Sequence, residues 1–447
     1  MFKTIINAWK IADLRKKMLF TALIVFIFRL GAALPVPFVN ISGGLISDQN
    51  ANNFMTYLSM MTGDAFNYGT LFAMSITPYI NASIIIELLT VAIPALERLA
   101  KEGEEGRKKI STITRYSSVV LALMQSTAYY FYIRSQNYLS LDADGNKFTG
   151  FFAVLQAITI IFCYTAGASL IMWLGEQINE KGIGNGISII LFAGIVSRMP
   201  TTLYSLYSYM DKGGAYYALA PIAFVSLILM IGFIVWMDNA ERRIPVQYAK
   251  RVVGRKMYGG QNTHIPIKVN MCGVLPIIFA SSILSLPPTI QMFVTVKEGG
   301  FWAGFFKIFE TTHWAYGIMY FVLIIFFAYF YAAIQYNPIE MANNIRKNSG
   351  AIPGIRPGKP TSDYIMRVLS RLTLIGSLML CVVALFPIVY SLICKAAIPP
   401  LETGGDDGGM SITLGGTSII IMCGVALETE RQLESQLMMR HYKGFLD

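Results

Sequence analysis

The sequence predicts an all-α integral membrane protein with ten transmembrane helices in two five-helix halves of opposite orientation. Three observations predict it: a composition too apolar for a water-soluble globule, ten long apolar runs, and basic residues that alternate between connections. Of the 447 residues, 54% are hydrophobic and 14% charged, where a soluble domain carries about 25% charged residues. A folded globule cannot hide that much apolar surface from water, so lipid is the solvent. Runs of about 18 or more apolar residues can cross a hydrocarbon core of about 30 Å.

The first run, Met18 to Phe38, follows a basic N-terminus as a signal peptide would, but it is too long for such a segment and reads as a retained span. The ten runs lie near 18–38, 72–93, 116–136, 152–174, 186–208, 216–237, 270–292, 313–335, 369–393 and 411–428. The fifth is interrupted by Arg198 and Pro200, and the tenth is short. Helix is the expected conformation, because backbone groups in lipid need partners within the segment. Of the 36 Lys and Arg, 28 fall on one side of the alternation, seven on the other, and Arg29 sits inside the first run. Cations concentrate on the cytoplasmic side, so both termini are expected there. Five spans per half make the halves antiparallel if they share a fold, with the working site between them at mid-membrane. The halves are expected at 1–208 and 209–428, with large cytoplasmic loops at 238–269 and 336–368 and a tail at 429–447.

Several segments fit neither span nor ordinary loop. The connection after the first span has about 33 residues, long for a linker. It holds an apolar piece, Phe54 to Met61, far too short to cross, followed by Gly63, Asp64 and Gly69. This is either an external amphipathic helix or a re-entrant one; the latter would line a cavity. Span two opens with Pro78, suited to a helix first turn, and carries Thr77, Asn81 and Ser83. Span seven has Asn270, Pro276, Ser281 and Ser282. Such polar groups either join helices or line a watery passage. In the 238–269 loop, Ile244, Val246 and Tyr248 alternate as in a strand, and the stretch through Arg255 and Lys256 suggests a hairpin tip. In the 336–368 loop, a polar helical stretch from Asn337 to Asn348 precedes a Pro/Gly run expected to hold Arg356 outward.

Other chemistries are poorly supported. The cysteines Cys163, Cys272, Cys381, Cys394 and Cys423 form no CxxC pair, and three scattered histidines suggest no metal site. The glycines between Gly175 and Gly186 lack the GxxxxGK[ST] pattern of a phosphate loop and read as a tight helix–helix turn. Asp142 to Asn146 begins like a calcium loop, but Lys147 stands where glycine is needed. Arg29 and Glu87 are the ionisable candidates inside spans, too few for an ion-coupled pump. No nucleophile and base pair up at membrane depth, so an enzyme is disfavoured and no cofactor is expected.

Five stretches carry a resemblance. They are Thr77-Pro-Tyr-Ile-Asn-Ala-Ser-Ile-Ile-Ile86, Met172-Trp-Leu-Gly-Glu-Gln-Ile-Asn-Glu-Lys-Gly-Ile-Gly-Asn-Gly-Ile-Ser188, Lys268-Val-Asn-Met-Cys-Gly-Val-Leu-Pro276, Phe279-Ala-Ser-Ser-Ile283 and Pro353-Gly-Ile-Arg-Pro-Gly358. Each is similar to SecY proteins, and the likeness runs in order from about Leu14 to the tail. The resemblance implies two five-helix halves around a central hourglass pore that also opens sideways to lipid. It implies a constriction ring at Ile76, Ile80, Ile187, Leu191, Ile278 and Ile421. It implies a plug over roughly 57–69, including Tyr57, Met60, Met61, Gly63 and Phe66. The lateral gate would run between spans two with three and seven with eight, at Ile84, Asn270, Ser281 and Ser282. Arg255, Lys256 and Arg356 would meet cytoplasmic partners. Those partners would be the motor ATPase SecA or the ribosome, beside the subunits SecE and SecG, signal sequences, secretory polypeptides and membrane lipid. The site would be the bacterial plasma membrane. Glu87 departs from the family, where many relatives have a neutral amide.

The implied function is a protein-conducting channel. A ring of branched aliphatics offers no donors to ions, so a narrow one dewets. Sideways exit would follow partitioning, at ~2.5–3.5 kcal/mol against each charged residue and a few tenths in favour of each Leu or Ile. The alternative is a secondary transporter of a small solute with five-plus-five repeats. The shortage of intramembrane acids and the two large basic loops favour the channel.

Overall fold

The computed structural model describes residues 2–41, 44–45, 59, 62–140, 150–211, 216–248, 251–253, 256–258, 262–291, 301–309, 313–348, 350–397 and 416–443. Each of the ten apolar runs carries a helix. In order these are α2 (Ala12–Ala33), α3 (Thr77–Ala92), α5 (Glu104–Ser135), α6 (Phe151–Lys181), α7 (Gly186–Asp211), α8 (Tyr216–Asn239), α9 (Leu275–Gln291), α11 (Trp314–Gln335), α13 (Lys359–Ala397) and α14 (Gly416–Lys443). Among the described residues, shorter helices also occur: α1 (Phe2–Lys10), α4 (Pro94–Lys101), α10 (Phe301–Ile308) and α12 (Pro338–Lys347). Among the described residues, five helices are individually long and apolar enough to cross a membrane: α6, α7, α8, α11 and α13. A sixth is reached if α3 and α4, bent by 100° at Ile93, count as one span. In α2, α5 and α14 most of the charges are crowded at one end, so the apolar part is shorter than the helix.

The helices bury one stripe and expose another that is equally apolar. On α11, Tyr320, Ile324, Phe327 and Ala328 are buried, while Ile318, Val322 and Phe326 are exposed. In water that outer stripe would be a liability; against lipid tails it costs nothing. The main core gathers side chains from all of the long helices except α5, including Phe28, Ile84, Ile171, Ile190, Ile234, Phe279, Ile324, Leu380 and Ile420. α5 packs with α3 and α6 instead, around a second core built on Tyr129, Tyr164 and Ile133.

The helices depart from the predicted runs mainly by continuing past them. α6 extends to Lys181, so the expected Gly175–Gly186 turn shrinks to residues 182–185. The cause is local: the Asn179 Oδ1 accepts the Gly186 N–H at 2.7 Å, and Gly184, at φ +83°, makes the reversal. α7 runs through Arg198 and Pro200 unbroken. α14 carries on into the expected tail as one helix. Span two instead starts late, at Thr77, with Pro78 in its first turn as anticipated. The calcium-like turn at 142–146 and the start of the tenth run at 411–415 lie outside the described residues.

On the cytoplasmic side expected from the charges, β1 (Glu241–Tyr248) pairs antiparallel with β4 (Asn262–Lys268), from Glu241 opposite Lys268 to Gln247 opposite Asn262. Beyond them, β2 (Arg251–Val253) pairs antiparallel with β3 (Lys256–Tyr258), from Arg251 opposite Tyr258 to Val253 opposite Lys256. Ile244 and Val246 are buried on one face, as their alternation predicts. They pack with Ile267, Ile345, Ile365 and Leu369 in a core that fixes the hairpin to α12 and α13. A two-residue strand, β5 (Gly350–Ala351), adds to the free edge of β1. α12 starts at Asn337, whose side chain accepts the N–H groups of Ile339 and Glu340.

Candidate functional site

The six predicted ring residues lie on four helices and belong to, or pack against, one core. Ile76 caps α3 and Ile80 lies one turn on; Ile187 and Leu191 are one turn apart on α7; Ile278 is on α9 and Ile421 on α14. Ile76, Leu191 and Ile421 are buried in the main core, and Ile80, Ile187 and Ile278 are half-buried against it. None is among the exposed large hydrophobic residues. Their branched aliphatic side chains present no hydrogen-bonding partner to water or ions.

Between α2 and α3 the chain turns back into the bundle, and residues 62–76 fold as a succession of turns rather than a surface helix. Thr62, Ala65, Phe66, Phe72, Ala73, Met74 and Ile76 are buried. This stretch is re-entrant; of the piece from Phe54 to Met61, whose placement composition left open, all but Ser59 lies outside the described residues. Non-helical backbone at depth needs partners, and they are present. The Leu71 N–H donates to the Leu34 carbonyl at 2.9 Å. The Tyr164 hydroxyl donates to the Gly69 carbonyl at 2.9 Å, and the Tyr129 hydroxyl donates to the Phe66 carbonyl. Phe66 and Tyr129 pack with ring centroids 4.7 Å apart. Close approach depends on glycine. A Cβ on Gly167 would stand 2.1 Å from the Leu71 carbonyl oxygen, and one on Gly31 would stand 2.0 Å from the Phe72 ring. Of the predicted plug residues, Gly63 and Phe66 lie in this segment, while Tyr57, Met60 and Met61 lie outside the described residues.

Charge enters the segment at one place. The Arg198 Nε on α7 lies 3.1 Å from Asp64 Oδ2. The Ser59 hydroxyl donates to Asp64 Oδ1 at 2.8 Å, and Arg198 Nη1 donates to Ser59 Oγ at 3.2 Å. From α2, Arg29 Nη1 reaches the Gly63 carbonyl at 3.4 Å. Neither this cluster nor the two tyrosines was singled out from the sequence. The available signal was that Arg29 and Arg198 interrupt apolar runs and Asp64 follows a short apolar piece.

The predicted gate residues divide. Ile84 is buried in the main core with Phe279 and Ala280 of α9. Ser281 donates to the Ile278 carbonyl at 3.0 Å, and Ser282 is half-buried beside it. Asn270 precedes α9 and is turned toward α8, its amide donating to Asp238 Oδ1 at 2.8 Å. Glu87, on the same helix as Ile84, is half-buried and lies near Tyr331 of α11. Extensive helix contacts pair α3 with α5 and α9 with α11.

At the root of the hairpin, Arg431 of α14 donates from Nη2 to the Asp238 carbonyl at 2.9 Å and to Asn239 Oδ1 at 3.0 Å. Burial and the neighbouring Arg431 press the Lys268 ammonium below its ordinary pKa, against the opposing pull of Asp238 and Glu428. Arg356 is exposed in a loop whose turns use Gly354 at φ +79° and Gly358 at φ +111°. Lys256 lies on β3, and Arg255 lies outside the described residues. Among the described residues, no group of three or more His, Cys, Asp or Glu could hold a metal ion.

The family model that matches the chain is SecY, over residues 70–430. The chain is 42% identical over 451 residues to the protein translocase subunit SecY of Streptomyces scabiei, covering 100% of both. It is 41% identical over 460 residues to that of Mycobacterium tuberculosis (strain ATCC 25618 / H37Rv), again covering 100% of both. Among solved structures, "The structure of a protein conducting channel" matches with a TM-score of 0.60 at 17% identity, covering 94% of this chain and 92% of that one. "Sec61 in the Canine ribosome-channel complex from the endoplasmic reticulum" matches with a TM-score of 0.56 at 15% identity and the same coverage. At those identities the structures speak for the fold, and the full-length sequence matches speak for the lineage: this chain belongs to the SecY family of membrane protein translocase subunits.

Proposed function

We propose that Ile76, Ile80, Ile187, Leu191, Ile278 and Ile421 form the constriction of a protein-conducting channel, with the re-entrant segment as its plug. Protein translocation is the activity of the family, and a solute transporter is not favoured. The observation that carries the site is the convergence of six branched aliphatics from α3, α7, α9 and α14 in one core, with buried non-helical chain beside them. A travelling polypeptide can slide past such side chains because none offers a strong polar stop. The experiment is site-specific crosslinking from position 80 or 278 to a stalled secretory chain. Adducts to the polypeptide are expected, and adducts to lipid alone would remove the assignment.

The finer reading extends to surroundings. Two halves, 1–208 and 209–428, would part between α3 with α5 and α9 with α11, releasing apolar segments into lipid. The side bearing 28 of 36 cations would face the cytoplasm of a bacterial plasma membrane, with both termini on that side. The exposed Arg356, with Arg255 and Lys256, would meet SecA or the ribosome, and contacts to ribosomal RNA would weaken with salt. SecE and SecG would pack on the lipid-facing helices. The chain would act as a conduit without catalysis of its own, drawing energy from its partners and the membrane potential.

A further inference from the structure

We propose that Arg198 and Asp64 are positioning residues that latch the re-entrant segment in its docked place, so that opening the constriction and releasing the segment are one event. The proposal rests on the channel reading above and names the residues that set its resting state. Three observations point to it.

The first is the location of Arg198. It interrupts an apolar run, and it lies on the side of the alternation where only seven of 36 cations fall. Orientation in the membrane therefore gives no reason for it. A charge within a span is expensive unless paired, and among the described residues its carboxylate partner is Asp64 of the re-entrant segment. The Arg198 and Asp64 side chains keep 18% and 23% of their exposure, sheltered enough for the attraction to escape most screening.

The second is that the acceptor side is built in advance. The Asp64 N–H donates to the Ser59 carbonyl at 2.9 Å while the Ser59 hydroxyl donates to the Asp64 carboxylate. The Thr62 hydroxyl donates to the Ser59 carbonyl at 3.2 Å and accepts the Phe66 N–H at 3.1 Å. Asp64 itself sits at φ +72°, a left-handed conformation that aspartate tolerates better than most residues. Arg198 then closes a triangle by reaching both Asp64 and Ser59.

The third is that the latch and the constriction share a helix. Ile187, Leu191 and Arg198 are all on α7, with Arg198 seven positions beyond Leu191, two helical turns along the same face. Gly63 is seated against this stretch, where an added Cβ would stand 3.0 Å from the Gly194 carbonyl oxygen and 2.9 Å from Ser197 Oγ. A polypeptide that pushes α7 outward at Leu191 carries Arg198 away from Asp64. The reverse also holds: while the pair is intact, α7 is tied inward.

The test compares Arg198→Asp, Asp64→Arg and the double exchange in full-length protein reconstituted with its partner subunits into liposomes. Resting ion conductance is read without any translocating chain, and export of a substrate with a weakened signal sequence is read in parallel. Each single variant places like charges together and is expected to raise resting conductance at least about tenfold, as for loss of a partly sheltered ion pair. It should also raise export of the weak-signal substrate. The double exchange restores the attraction and should bring conductance back toward native, which a merely packing role would not do. Arg198→Gln, which keeps a hydrogen bond to Ser59, serves if a reversed charge fails to insert, and it should leak to an intermediate degree. Native conductance in properly inserted single variants would overturn the latch, as would leakage in the double exchange equal to that of the singles. Crosslinking at position 278 separates the two levels. Normal adducts with no leak sink the latch alone, whereas absent adducts sink the channel assignment beneath it.

Discussion

Gly63→Ala tests the docking of the re-entrant segment with a single methyl group. Gly63 has φ +63°, a left-handed conformation that costs a residue with a Cβ roughly 1–2 kcal/mol. The methyl would also meet Arg29 Nη1 at 2.7 Å, Ser197 Oγ at 2.9 Å and the Gly194 carbonyl oxygen at 3.0 Å. The first two are ends of side chains and can turn aside. The carbonyl belongs to the α7 backbone and cannot. Both penalties exist only while the segment is docked, because a displaced chain can adopt negative φ. At 1.4 kcal/mol per factor of ten, the backbone term alone shifts docking by about five- to thirtyfold. The assay is ion efflux from liposomes holding the purified complex at rest, and the expected result is a proportionate rise. Gly103→Ala is the matched control: Gly103 has φ +81° but nothing within 4 Å of an added Cβ. With ψ −139° it lies near a region that only glycine adopts readily, so the variant should carry at least as much backbone strain and still leave the membrane tight. The reasoning fails if Gly63→Ala membranes hold ions as well as native ones, or if Gly103→Ala leaks equally.

Other perturbations probe the remaining parts of the site. Ile80→Ser with Ile278→Ser places hydroxyls in the aliphatic cluster and should wet it, read as steady conductance in planar bilayers; an unchanged baseline would count against the ring. Tyr164→Phe strands the buried Gly69 carbonyl and should cost about 1–3 kcal/mol, seen as an earlier thermal midpoint in detergent; an unaltered midpoint would mean that the carbonyl finds another donor. Arg356→Glu should weaken binding of SecA or ribosomes to proteoliposomes while membrane insertion of the chain stays normal; full binding would remove the docking role of that loop.

The helices were legible because lipid enforces a simple rule: apolar for long enough, then not. Their ends were not, because helix that continues into water carries no hydropathy signal. α6 runs on to Lys181 and α14 to Lys443 through sequence that reads as turn and tail. The ring positions came from the resemblance and not from periodicity, since an isoleucine facing the axis and one facing lipid look alike. The fate of the 62–76 stretch was undecidable from its own residues. What buries it is supplied by Gly31, Tyr129, Tyr164 and Gly167, scattered over more than a hundred positions. The Arg198–Asp64 pair was hidden for the same reason, with both charges visible and their meeting set by topology.

α14 has a mechanical consequence. It is one unbroken helix that places Ile421 in the main core and Arg431 against Asp238 and Asn239, where the hairpin departs. Ten residues of helix span about 15 Å with no hinge between. Any tug delivered to the hairpin thus arrives at Ile421 through a stiff rod, in the time a solid body takes to tilt.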